Sequence, residues 1–241
     1  MYNFSPLDRH YDKGFGAVAD TFLDSASELK ANHHRAKLNG HLPICYLFRH
    51  SSELFLKGAI IIVHSSLELP YGEAPHTSEP KIPGADEKDP TKLRSIYRVH
   101  DIEVLYIYLR DTLIKERERI DSVTITNWNF SAELTLKFNR LKDIDSSSGY
   151  FRYPTERSSN FEKEKSAFKK SSVQDVMELA IKNKEPMKAM KVTTLIGRET
   201  EVFIHDDSFT EEAMNLLSDV AGEMSALHFA LMNELGQGAF S

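Results

Sequence analysis

The chain has 241 residues, 41% of them hydrophobic, and a net charge of −6. That is long enough for one sizeable core, and too acidic for a protein that coats nucleic acid by bulk charge, although a local basic site remains open. The single cysteine, Cys45, excludes a disulfide within the chain and fits a reducing cytoplasmic setting. The N-terminal stretch has no apolar signal core, and the longest apolar run, residues 59–63, is far too short to span a bilayer.

Residues 15–37 are expected to form an amphipathic helix. Phe15, Val18, Phe22 and Leu29 recur near helical spacing, with Ala19 and Ala26 beside them. Asn39 and Gly40 end it. Pro43 can sit in the first turn of a second helix, over 43–65. Residues 67–90 hold five of the nine prolines and two glycines, and read as an exposed excursion without regular structure. An excursion of that length inside a compact domain is mobile or functional.

Further helices are expected over 100–119, 130–145 and 173–183. Ile102, Leu105, Leu109 and Leu113 line one face of the first, and Leu134, Phe138 and Leu141 one face of the second. Residues 162–170, with mixed or repeated charges, read as solvated surface. Residues 191–205 alternate and are β-branched, with a turn near Gly197, which predicts a β-hairpin. A last helix covers 208–235. Ser208 and Glu211 have the spacing of a capping box, and Gly236 ends the helix. His228 falls on its apolar stretch and reads as a core or interface histidine. The expected class is mainly α: a bundle of five to six helices in a single domain over 1–241, with one small hairpin and the Pro-rich loop as insertions.

The second helix poses the chemical question. Its most apolar stretch carries Arg49, His50, Glu53, Lys57 and His64. The last four sit at offsets of three, four and seven and share one face. A charge taken out of water without a partner is costly, so these groups need partners or a water-filled cleft. Residues 97–101, with His100 and Asp101, and 149–154, with Arg152 and Tyr153, can supply partners. Three readings stay open: a structural ion network, a cleft of Arg, His and Lys that holds a phosphate, or an exposed stripe.

The "FRHSSELFLKGAI" helix, the "HDIEVL" start of the next helix and the "YFRYP" segment, in that order, resemble the pattern of HEPN-type proteins (higher eukaryotes and prokaryotes nucleotide-binding) over roughly 43–154. The resemblance implies a helical bundle, often dimeric. It also implies two different activities: a metal-independent endoribonuclease of a toxin–antitoxin or antiphage system, or an inactive module that binds a nucleotide or a partner protein. Active members carry an Arg-x4-6-His motif on a late helix. Here the matches are Arg35/His41, Arg94/His100 and Arg198/His205, and only Arg94/His100 adjoins a helix of the pattern. On this basis His100 or His50 is the candidate base, and Arg49 or Arg152 the candidate phosphate clamp. Glu53, Lys57, Asp101, Arg94 and Tyr153 are the candidate binding residues.

No cofactor is implied. His33 and His34 suggest metal, but adjacent helical residues point about 100° apart, which favours a solvated helix end. A third class is a structural bundle that dimerises through Met214, Leu217, Met224, Leu227 and Leu231 of the last helix. No P-loop, dinucleotide fingerprint, CxxC or nucleophile elbow is present.

Overall fold

A computed structural model of the chain describes residues 6–32, 39–84, 89, 91–145, 149–153, 162–182, 189–193 and 200–236. The described residues form seven α-helices and two small sheets: α1 (Phe15–Ala31), α2 (His41–Ser66), β1 (Lys81–Ile82), β2 (Arg94–Ser95), α3 (Ile102–Lys115), α4 (Arg117–Asp121), α5 (Ala132–Asp145), β3 (Phe168–Ser171), α6 (Val173–Lys182), β4 (Ala189–Thr193), β5 (Thr200–His205) and α7 (Ser208–Leu235). The mainly α class with a small hairpin is the observed one.

The bundle is organised around α2, which packs along α1 and α7 and against α3, while α5 bridges α3 and α7. Every residue from Ser51 to His64 is buried. A helix buried on all sides cannot have one solvated stripe, so its polar residues must be satisfied by protein. The approach of α1 depends on small residues. Ala19 and Ala26 are fully buried, and the Ser51 hydroxyl donates to the Ala19 carbonyl at 2.8 Å. Leu29, expected on the inner face of α1, is 46% exposed; the alanines let the backbones come close, and a leucine at that end is not needed.

The sequence expectation for the third helix runs through the chain at Glu116, where α3 stops and α4 begins. The capping box at Ser208 does not form. Asp207 is the N-cap of α7, and the Asp206 carboxylate instead accepts from the Ser208 backbone and hydroxyl, at 3.1 and 2.7 Å. The hairpin of β4 and β5 pairs antiparallel from Ala189↔Ile204 to Thr193↔Thr200, while its turn lies outside the described residues. A third strand, β3, joins it to give the order β3-β5-β4. Residues 162–170 are therefore not simply solvated surface: Lys165 is 5% exposed, its ammonium 4.6 Å from the Tyr150 ring centre.

The Pro-rich excursion is also more ordered than its composition suggests. β1 and β2 pair as Lys81↔Ser95 and Ile82↔Arg94, and Tyr71 and Ile82 are buried. The apolar stripe of α7 is used within the chain: Met214, Leu217, Met224 and Leu231 are at most 3% exposed, so those four are not available as a dimer face. His228 is a core histidine, fully buried. No helix among the described residues is long and apolar enough to cross a membrane.

Candidate functional site

The polar groups of α2 are gathered by a carboxylate. Glu53, 1% exposed, receives Lys57 Nζ at 2.7 Å and His100 Nδ1 at 3.0 Å on Oε1, and Arg49 Nη1 at 3.2 Å on Oε2. Arg49 and Lys57 lie one turn to either side of Glu53, which is why one helix can deliver all three. Arg49 is fully engaged. Its Nε donates to Asp145 Oδ2 at 2.6 Å and its Nη2 to the His100 carbonyl at 2.6 Å. The arginine thus ties α2 to the end of α5 and to the residue before the cap of α3.

Asp101 has a separate duty. Its Oδ1 accepts from the Glu103 and Val104 amides at 2.9 and 3.2 Å, capping α3. The cap fixes where α3 begins, and so where His100 stands. The His100 side chain is 46% exposed, so a half-exposed imidazole is backed by a buried carboxylate. Asp145 in turn accepts the Tyr150 amide at 2.8 Å, which anchors the segment that carries Arg152 and Tyr153.

His50 joins the group through rings. It stacks on Tyr46, with centres 5.7 Å apart and planes 5° apart, and meets Phe22 edge-on at 4.7 Å. The Arg152 guanidinium lies 5.8 Å from the centre of the same Tyr46 ring and makes no ion pair among the described residues. His50 Nδ1 is buried without a hydrogen-bond partner. Arg94 lies exposed on β2, and Tyr153 is 55% exposed beside Arg152. Arg49, Glu53, Lys57 and His100 therefore meet directly; His50 and Arg152 meet through Tyr46.

The electrostatics follow the geometry. Burial pushes the Glu53 carboxyl up, but Lys57, Arg49 and the His100 hydrogen bond outweigh it and hold the group below its ordinary value. For Asp145 burial prevails over Arg49, the Tyr150 amide and Arg152, and its pKa is raised. Burial lowers the His50 pKa; Lys57, Arg49 and Arg152 add to that, and Glu53 opposes it. With both carboxylates ionised, Arg49, Lys57 and Arg152 leave the cluster one positive charge in excess.

Asp145, Tyr46 and Lys165 were not singled out from the sequence. Tyr46 stands one helical turn before His50, a spacing that was there to be read. Asp145 is distant in sequence from everything it touches. The other motif matches fall differently. His33, His34 and Arg35 of the suggested metal site and the first motif match, and Arg198 of the third, lie outside the described residues. His41 Nε2 lies 2.9 Å from the Lys165 carbonyl, a contact in which the ring N–H donates. Among the described residues no group of three or more His, Cys, Asp and Glu side chains is placed to hold a metal. No protein-family model, curated protein or solved structure matches the chain.

Proposed function

We propose that the protein is a HEPN-like module that acts on RNA at the edge where His100 emerges, as a metal-independent endoribonuclease of a growth-arresting or antiphage system. The observation that carries this reading is the His100–Glu53 pair: a half-exposed imidazole whose Nδ1 is 3.0 Å from a carboxylate that is 1% exposed. With Nδ1–H donating to Glu53, Nε2 carries the lone pair and is the proton acceptor. It takes the proton of a 2′-hydroxyl as that oxygen attacks the adjacent phosphorus. The bond to the 5′-oxygen breaks, that oxygen takes a proton from water, and the hydroxide left behind takes back the proton held by His100. The products are a 2′,3′-cyclic phosphate and a 5′-hydroxyl. Arg152 holds the phosphate. Arg49 and Lys57 hold Glu53, and act on the substrate only through it.

The test is incubation of the purified protein with labelled tRNA and mRNA in EDTA, beside His100→Ala and His50→Ala. Cyclic-phosphate ends that vanish in His100→Ala are expected. Ends bearing a 5′-phosphate, or cleavage untouched by His100→Ala, would sink the mechanism.

A second reading rests on a specific observation. Arg49 and Lys57 already give their charges to Glu53 and Asp145, as in a network built for architecture. On this reading the module binds a nucleotide or a partner protein without cleaving RNA. A thermal shift with a nucleotide, lost in Arg152→Ala and accompanied by no cleavage, would select it.

A further inference from the structure

The Pro-rich excursion takes no part in the site just described, yet it is built as a wall. Between residues 69–84 and α3 lies a cleft of about 740 Å³, within the size range of small-molecule sites. Pro70 and Pro83 line it on one side, Val104, Ile107 and Tyr108 on the other, and His64 of α2 closes its inner end. The Tyr71 and Ala74 backbones exchange two hydrogen bonds, at 2.8 and 3.2 Å. The Tyr71 ring stacks on His64 with centres 4.2 Å apart, and β1 pairs with β2. Prolines fix their own φ, which stiffens this wall.

At the inner end both His64 nitrogens are already engaged, and the Tyr71 hydroxyl is buried without a hydrogen-bond partner. His64 Nδ1 faces the Leu69 carbonyl at 3.0 Å and must donate there. Nε2 is then an acceptor and receives the hydrogen bond donated by the Tyr108 hydroxyl at 2.9 Å. Burial lowers the His64 pKa and keeps this tautomer neutral. The part of a ligand that enters therefore gains no hydrogen bond from His64 and packs on Val104, Ile107 and the two prolines.

The mouth differs. Asp111 is held by Arg110 at 2.8 Å and Glu116 by Arg119 at 2.9 Å. Lys115, exposed on the same rim, forms no ion pair among the described residues. Ile107 beside the cleft is 37% exposed. An apolar slot with one uncompensated cation at its mouth is complementary to one kind of molecule. We propose that this cleft binds a small amphipathic anion, with its apolar body against Val104, Ile107 and the two prolines and its single anionic head on Lys115.

The test is a fluorescence titration with 8-anilinonaphthalene-1-sulfonate, beside N-phenyl-1-naphthylamine, which has the same body without the charge. Saturable one-to-one binding of the sulfonate, tighter than that of the amine, is expected. Lys115→Glu should weaken the sulfonate by up to about fivefold, the size of one partly exposed ion pair, and leave the amine unchanged. Lys115→Gln repeats the comparison should the charge reversal disturb folding. Ile107→Asp should abolish both, and His100→Ala should alter neither. Decanoate and decyl phosphate should displace the probe, and whichever does so at lower concentration identifies the head group. Non-saturable binding, wild-type affinity for the sulfonate in both Lys115 variants, or failure of both competitors would overturn the proposal.

Discussion

His228 Nε2 lies 2.9 Å from Asp12 Oδ2, and neither side chain is exposed at all. The pair joins α7 to the turn before α1, where the two Asp12 oxygens also accept the Gly14 amide at 3.0 Å and the Gly16 amide at 2.6 Å. Two glycines make room for it. A Cβ on Gly16 would stand 2.1 Å from His228 Cε1, and one on Gly58 would stand 2.8 Å from His228 Nε2. Gly58 is in the middle of α2, where alanine is otherwise favoured by about 1 kcal/mol. Both Gly16→Ala and Gly58→Ala should nevertheless destabilise, by about 1–3 kcal/mol from overpacking against the ring. Urea midpoints measure this. A Gly58→Ala protein more stable than the wild type would show that His228 can move aside.

Glu53, itself 1% exposed, holds three cationic or polar donors. Replacing it by glutamine leaves Arg49 and Lys57 buried beside a neutral amide, which should cost about 3–5 kcal/mol. The acid limb of stability should change as well. The folded carboxyl lies below its ordinary value of 4.5, so its contribution is complete above that pH and is lost as pH falls through the lower folded value. Glu53→Gln should flatten stability in that window. Asp145 works in the opposite sense, because its folded pKa is raised from 3.8, and Asp145→Asn should steepen the loss. Denaturant midpoints between pH 6 and the acid limit for the two variants separate these signs.

The helical frame was legible because its signals are local. The Pro43 turn, the apolar run of α2, the period of α5 and the alternation of β4 and β5 each fall within one element, and each element stands where that signal puts it. The break at Glu116 and the failed capping box were not legible. A break in an apolar period over charged residues leaves no mark, and Asp206 outcompetes a spacing rule by being nearer. The site was half legible. Arg49, Glu53 and Lys57 share a helix, so spacing reveals them. That His100 meets Glu53 and that Asp145 meets Arg49 depends on how α3 and α5 are laid across α2, which no window of sequence contains. The closing of the Pro-rich excursion on α3 has the same character: composition marks an excursion, but Tyr71 on His64 is a tertiary fact.

The His64–Tyr108 hydrogen bond can be probed by itself. Tyr108→Phe removes the only donor to Nε2 among the described residues and leaves a buried acceptor unmet, at a cost of about 1–3 kcal/mol. The His64 pKa is lowered from 6.5, by burial first, against the Leu69 carbonyl and Glu116, which raise it. A histidine depressed in this way adds stability that is present above its unfolded value and is lost as pH falls through the folded one. In NMR titrations His64 should stay neutral at pH values where an exposed histidine is already half protonated. If His64 titrates near 6.5 in the folded protein, burial does not depress it; the Nδ1–H tautomer is read separately from its ring ¹⁵N shifts.

Arg49 and Arg152 should separate stability from activity. Arg49 spends its donors on Glu53, Asp145 and the His100 carbonyl, so Arg49→Lys keeps the charge but cannot span the three acceptors. It should lower stability by about 2–4 kcal/mol, and any loss of the proposed RNA cleavage should follow the loss of fold. Arg152 is exposed and touches the protein through the Tyr46 ring. Arg152→Ala should cost no more than about 1 kcal/mol of stability, yet reduce cleavage by roughly 10²-fold if its guanidinium meets the phosphate in the transition state. Unfolding curves and initial rates on the same preparations decide the matter. Parallel losses in both variants would make Arg152 a structural residue and leave the phosphate without its clamp. A folded, stable and inactive Arg152→Ala protein would mean that the open guanidinium over Tyr46, and not the buried one on α2, is the group that meets substrate.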